Sequence, residues 1–235
     1  MKKLFPLLLV ITACCYAQDI DRQNATYNPI ATIITDLNND NRNDTISAYG
    51  RPAENDPGKF TKLTLSIDGR RITYTAKGTW DIVYSSFSEV NKNDVDSPYV
   101  FIHKEGECSY ILLFGYEYAG GPEEFSILKI NGRQQEMLFD NKLGYPKLLA
   151  DLDNDGHAEL VAQAVPVILK ADAKGMAGTY SPFIVYNLSP AFDIDKTLTE
   201  KYNRDHYVWA GLRSNEDIKV FSPNNGSKPK LIKTD

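Results

Sequence analysis

Two short acidic stretches hold the residues of this chain best suited to chemistry: DLNNDNRND from Asp36 to Asp44, and DLDNDGHAE from Asp151 to Glu159. Each sets an oxygen-bearing side chain at positions 1, 3, 5 and 9. These are Asp36, Asn38, Asp40 and Asp44 in the first loop, and Asp151, Asp153, Asp155 and Glu159 in the second. Position 7 adds a backbone carbonyl, from Arg42 or His157, whose side chains need not face an ion. A tight loop of alternating hard oxygens suits Ca²⁺, which takes six to eight such ligands at about 2.3–2.6 Å. The second loop gathers four carboxylates, so like-charge repulsion would oppose its folding without a cation. The first carries three carboxylates and an amide and is expected to bind more weakly. The competing reading is a solvated Asx-rich turn, because Asp and Asn favour turns through their own hydrogen bonds.

The elements that position these loops are strands. A helix-flanked calcium loop closes with a bidentate Glu at position 12, but that position holds Ser47 in the first loop and Ala162 in the second. The acid stands at position 9 instead. The flanks Ala31 to Thr35 and Thr45 to Tyr49 are β-branched or alternating, and Leu148 to Ala150 and Leu160 to Ala162 also fit strands. Position 6 needs a residue tolerant of positive φ. Gly156 meets the need and Asn41 is the next best choice.

Short apolar or alternating runs recur at Phe60 to Ile67, Arg71 to Ala76, Asp81 to Phe87, Tyr99 to His103, Cys108 to Tyr116, Phe125 to Ile130, Glu136 to Phe139, Val165 to Leu169 and Phe183 to Leu188. Asp68-Gly69 and Asn131-Gly132 between them are hairpin signals, since both central residues tolerate positive φ. The fold class expected is all-β, antiparallel hairpins with one short C-terminal helix near Asp195 to Tyr207, where Leu198 and Tyr202 stand four apart. The loops start 115 residues apart, two repeat units if a unit is about 50–60 residues. The unit between them shows no calcium loop.

Lys2 and Lys3 followed by the apolar stretch Leu4 to Ala13 read as an export signal, too short to span a bilayer. Two processing patterns fit. Cys15-Tyr16-Ala17 before Gln18 suits ordinary signal peptidase, and Ile11-Thr12-Ala13-Cys14 resembles a lipobox that would acylate Cys14 as a membrane anchor. Either route leaves the protein periplasmic, secreted or lipid-anchored at a bacterial envelope, where Ca²⁺ is plentiful. The organisation expected is a leader over 1–17, a single all-β domain over 18–221 and a flexible tail over 222–235. Cys108, the lone cysteine after the leader, reads as a small buried core residue. Net charge of −5 without a basic stripe argues against nucleic acid, and no later apolar segment is long enough for a transmembrane helix.

The second loop matches, and the first matches except for Asn41 in place of Gly, the D-x-[DN]-x-[DN]-G-x-x-[DE] pattern of the FG-GAP/VCBS repeat family, integrin-type β-propeller proteins. The chain resembles small secreted bacterial members of that family. The resemblance implies a small β-propeller or propeller-like fold with one or two structural Ca²⁺ ions. The function expected is an exported calcium-binding, non-catalytic interaction protein whose partner is a protein or glycan of the cell envelope. An alternative is an inhibitor or immunity protein against a cell-wall hydrolase, acting through the Tyr-rich acidic loop Tyr116 to Glu124. A lesser alternative is a glycan-acting enzyme using a carboxylate pair from Glu117, Glu123 and Glu124. No G-x-S-x-G, H-E-x-x-H or P-loop pattern occurs, and His103, His157 and His206 show no metal-type spacing.

Overall fold

The computed structural model describes residues 27–50, 59–115, 123–163, 167–171, 177–181, 183–206, 208–209, 218–220 and 230–232. The leader with Cys14, the loop 116–122 with Glu117, and the tail residues 222–229 and 233–235 lie outside them. The first antiparallel meander runs β1 (Asn28–Thr35), β2 (Asp44–Gly50), β3 (Phe60–Ile67) and β4 (Arg70–Asp81). A one-turn helix α1 (Ser85–Ser88) leads into a second meander, β5 (Phe101–Glu105), β6 (Cys108–Gly115), β7 (Glu123–Asn131) and β8 (Gln134–Leu143). The two join into one eight-stranded sheet through the pairs Trp80–Gly115 and Asp81–Phe114.

A four-stranded sheet follows. It is built from β9 (Tyr145–Ala150) and β10 (Glu159–Gln163), then, beyond β11 (Val167–Ala171) and β12 (Ala177–Ser181), from β13 (Phe183–Asn187) and β14 (Asp193–Ile194). Helix α2 (Lys196–His206) packs on β13. The short β15 (Val208–Trp209) pairs with β12, and β16 (Ile218–Val220) with β17 (Lys230–Ile232). The all-β expectation holds at this level.

Period-two alternation decides where the core sits, because successive side chains of a strand face opposite sides of the sheet. On β6, Ile111 and Leu113 join Leu63, Leu65 and Trp80 of the first meander in one core. Their neighbours Tyr110, Leu112 and Phe114 join Leu160, Ala162 and Leu188 of the third in another. The middle meander is therefore covered on both faces, and its strands read as continuous apolar runs. A third cluster, Val161, Phe183, Val185 and Leu198, closes the far face of the last sheet against α2. The layers succeed one another as meander, meander, meander, helix. Asp195 caps that helix, its Oδ1 accepting the Leu198 N–H at 2.7 Å. Asn203, fully buried, locks it to the β13 edge by accepting the Phe183 N–H (2.7 Å) and donating to the Phe183 carbonyl (2.6 Å).

Three local expectations change. Asp81 to Phe87 is not one strand: Asp81 ends β4, residues 82–84 are irregular, and Phe87 is buried in the second core from the one-turn helix α1. The backbone accordingly closes from Ser88 N–H to the Tyr84 carbonyl at 3.0 Å. The turn at Asn131-Gly132 lies one residue later, since Asn131 stays in β7 paired with Gln134 and Gly132 alone has positive φ, at 56°. Asp68-Gly69 is as expected, with φ of 49° and 74°. Cys108 is half-buried against the second core and carries no disulfide.

Candidate metal centre

Each acidic loop joins the first two strands of an outer meander. At the base of the first, Thr35 pairs with Asp44; at the base of the second, Ala150 pairs with Glu159. Nine residues leave one strand and enter its antiparallel neighbour, so the chain must turn within a few ångströms. Two left-handed residues make that turn in each loop: Asn39 (φ 58°) and Asn41 (φ 63°) in the first, Asn154 (φ 63°) and Gly156 (φ 92°) in the second. Position 6 meets the expectation, and the Asn at position 4 of both loops takes the same left-handed conformation.

The oxygens follow one template twice. Position 1 accepts two backbone N–H groups: Asp36 from Asp40 (3.2 Å) and Asn41 (2.8 Å), Asp151 from Asp155 (3.2 Å) and Gly156 (3.0 Å). Position 5 accepts the N–H of position 7, Asp40 from Arg42 and Asp155 from His157, each at 2.8 Å. Position 9 reaches back to the N–H of position 2, Asp44 to Leu37 at 2.9 Å and Glu159 to Leu152 at 2.8 Å. At position 3, Asp153 Oδ1 accepts the Asp155 N–H at 3.2 Å. Asn38 Oδ1 does the same from Asp40 at 3.3 Å when its oxygen faces inward. The inward Asn38 atom stands 3.1 Å from Asp36 Oδ1 and from Asp40 Oδ1. As a nitrogen, the orientation its two carboxylate neighbours favour, it donates to both; only as an oxygen would it repeat the role of Asp153.

Asp151, Asp153 and Glu159 bring one carboxylate oxygen each within 4.8 Å of one another. The set is all oxygen and anionic, which fits a hard cation such as Ca²⁺ rather than a soft metal. The acids at position 9 are buried, Asp44 at 5% and Glu159 at 2% exposure. Burial, and then the neighbouring carboxylates, push both above the ordinary carboxylate range. Asp155 is not part of the close triad.

The seventh side chains are tied elsewhere. Arg42 grips Asp40, whose carboxyl its hydrogen bonds hold low, through Nε (3.0 Å) and Nη2 (2.7 Å), and also pairs with Asp68 of the β3–β4 turn. Asp68 takes Arg133 at 3.0 Å as well. The guanidinium thus competes with any ion for Asp40. His157 meets Glu105, the last residue of β5, at 2.8 Å, a hydrogen bond that raises the imidazole pKa. His103 Nε2 approaches the same carboxylate at 3.6 Å, so two histidines far apart in sequence converge on one glutamate. His206 instead stacks on Tyr202 at 4.3 Å between ring centres. Asp68 is visible in the sequence only as a turn residue and Glu105 belongs to no motif, so neither signals its contact with an acidic loop.

Glu124, expected as one member of a carboxylate pair, is used within the sheet. Its Oε2 accepts the Gly78 N–H at 2.7 Å, beside the bulge that frees that group from the β3 ladder. Among the described residues no helix is long and apolar enough to cross a membrane. Comparison of the chain with protein-family models, with curated proteins and with solved structures returned no match.

Proposed function

We propose that this chain is an exported, non-catalytic calcium-binding protein in which Ca²⁺ at the two loops braces a propeller-like stack of β-meanders. The observation that carries the reading is the repetition of one hydrogen-bond template at two loops of different sequence. A solvated Asx turn accounts for one or two of those bonds. It gives no reason for the buried acid of the second loop, Glu159, to close on Asp151 and Asp153. In this reading Asp151, Asp153, Asp155, Glu159 and the His157 carbonyl hold the stronger ion. Asp36, Asn38, Asp40, Asp44 and the Arg42 carbonyl hold the weaker, because Arg42 already neutralises Asp40.

The propeller-like part of the proposal is supported by three antiparallel meanders packed face to face through shared cores. Both loops fall between the first and second strands of their meander, and the middle unit has the tight Gly106-Glu107 turn in that place. An envelope protein or glycan is the partner this role would call for. Thermal unfolding in Ca²⁺ and in EGTA tests the calcium reading. An ion at a hundred times its Kd adds about 2.7 kcal/mol, which for a chain of this size moves Tm by roughly 5–10 °C per site. Equal melting temperatures in the two media refute it.

A further inference from the structure

Glu105 stands outside both loops, at the end of β5, with its side chain only 13% exposed. Its two oxygens are divided between adjacent residues of the second loop. Oε1 meets His157 Nδ1 at 2.8 Å, and Oε2 accepts the Ala158 N–H at 2.7 Å. That N–H and the His157 carbonyl belong to one peptide unit. The unit is trans, the cis bond recorded in the described chain being Ser189–Pro190. In a planar trans peptide the N–H and C=O point to opposite sides. Anchoring the N–H on Glu105 therefore turns the His157 carbonyl away from Glu105, and the imidazole contact restrains the same residue a second time. The turn carrying Glu105 is itself pinned, through the Glu105–Cys108 pair of the hairpin and through Asn39 Nδ2 donating to the Gly106 carbonyl at 3.3 Å.

We infer that Glu105 is a positioning residue of the second calcium site, aiming the His157 carbonyl at the ion from a different β-meander without touching the ion itself. The inference rests on the calcium reading above. A loop alone leaves the seventh carbonyl free to rotate with its peptide plane, and water then takes its place in the coordination sphere. Partners that orient metal ligands from behind are typically worth 10–100-fold in affinity.

The test uses the full chain with the first loop silenced by Asp36→Asn and Asp40→Asn, and Tb³⁺ as the luminescent probe. Affinity comes from titration, and the number of metal-bound waters from luminescence lifetimes in H₂O and D₂O. Glu105→Ala is expected to weaken Tb³⁺ binding about tenfold and to add one bound water, with an unchanged circular dichroism spectrum. Glu105→Gln keeps an oxygen for the Ala158 N–H and an amide donor for His157, and is expected to restore most of the affinity and the parental water count. An alanine variant with parental affinity and hydration overturns the inference while leaving the calcium reading intact. A glutamine variant as weak as alanine, with no added water, overturns it too, since charge and not aim would then matter. Failure of the silenced parent to bind Tb³⁺ overturns both.

Discussion

Replacing Glu159 by Gln should stabilise the protein without calcium and destabilise it with calcium. Glu159 is 2% exposed and lies within 4.8 Å of an oxygen from each of Asp151 and Asp153. Two unit charges at 4.8 Å repel by about 0.9 kcal/mol at the dielectric of water, so two pairs set a floor of about 1.7 kcal/mol. Protonation sets the ceiling. Keeping an ordinary glutamate neutral at pH 7 costs about 3.7 kcal/mol, beyond which the group would simply take up a proton. The amide retains an oxygen for the Leu152 N–H, so that bond, 2.8 Å in the parent, survives the change. Glu159→Gln in EGTA should therefore gain roughly 2–4 kcal/mol. In saturating Ca²⁺ the order should reverse, because an anionic ligand has been lost. Urea unfolding in both media measures the two differences. A variant destabilised equally in EGTA and in Ca²⁺ would refute the reasoning, because Glu159 would then be a plain structural acceptor.

The apo protein should become more stable as pH falls from neutrality towards the carboxylate range. Asp44 and Glu159 have raised folded pKa values, so the folded state binds protons more tightly than the unfolded one and gains as they titrate. His157, also raised, adds stability that is fully present below its ordinary pKa of 6.5 and is lost as the pH rises through its raised folded value. Unfolding midpoints in EGTA across this range check the sign, and a flat or opposite slope counts against it. Gly156→Ala meets no atom within 4 Å, so its cost is the left-handed backbone at φ 92°, about 1–2 kcal/mol by denaturant unfolding. Asn203→Ala removes the partners of both Phe183 backbone groups and should cost about 2–4 kcal/mol; a loss under 1 kcal/mol would mean that α2 is held mainly by Leu198 and Tyr202.

Local chemistry was legible in the sequence wherever neighbours in the chain are neighbours in space. Alternating oxygens, strand flanks, the Asp68-Gly69 turn and the helix near Asp195 to Tyr207 all fall in that class. Asp81 to Phe87 misled because a short apolar run suits a strand and a helical turn equally, and here it spans the end of β4 and the start of α1. Asn131-Gly132 misled by one residue because the pairing register, not the dipeptide, fixes which residue is left outside the ladder. Glu105 was illegible for a different reason. Its partners lie 52 and 53 residues away, and the contact exists only once two meanders have stacked.

Isothermal titration of the calcium-free protein tests the central claim most directly. The account predicts two Ca²⁺ ions per chain, the tighter lost in Asp151→Asn/Asp153→Asn and the weaker in Asp36→Asn/Asp40→Asn, with Mg²⁺ a poor competitor because it demands a smaller octahedral shell. Absence of binding, or binding that survives both pairs of substitutions, would contradict it.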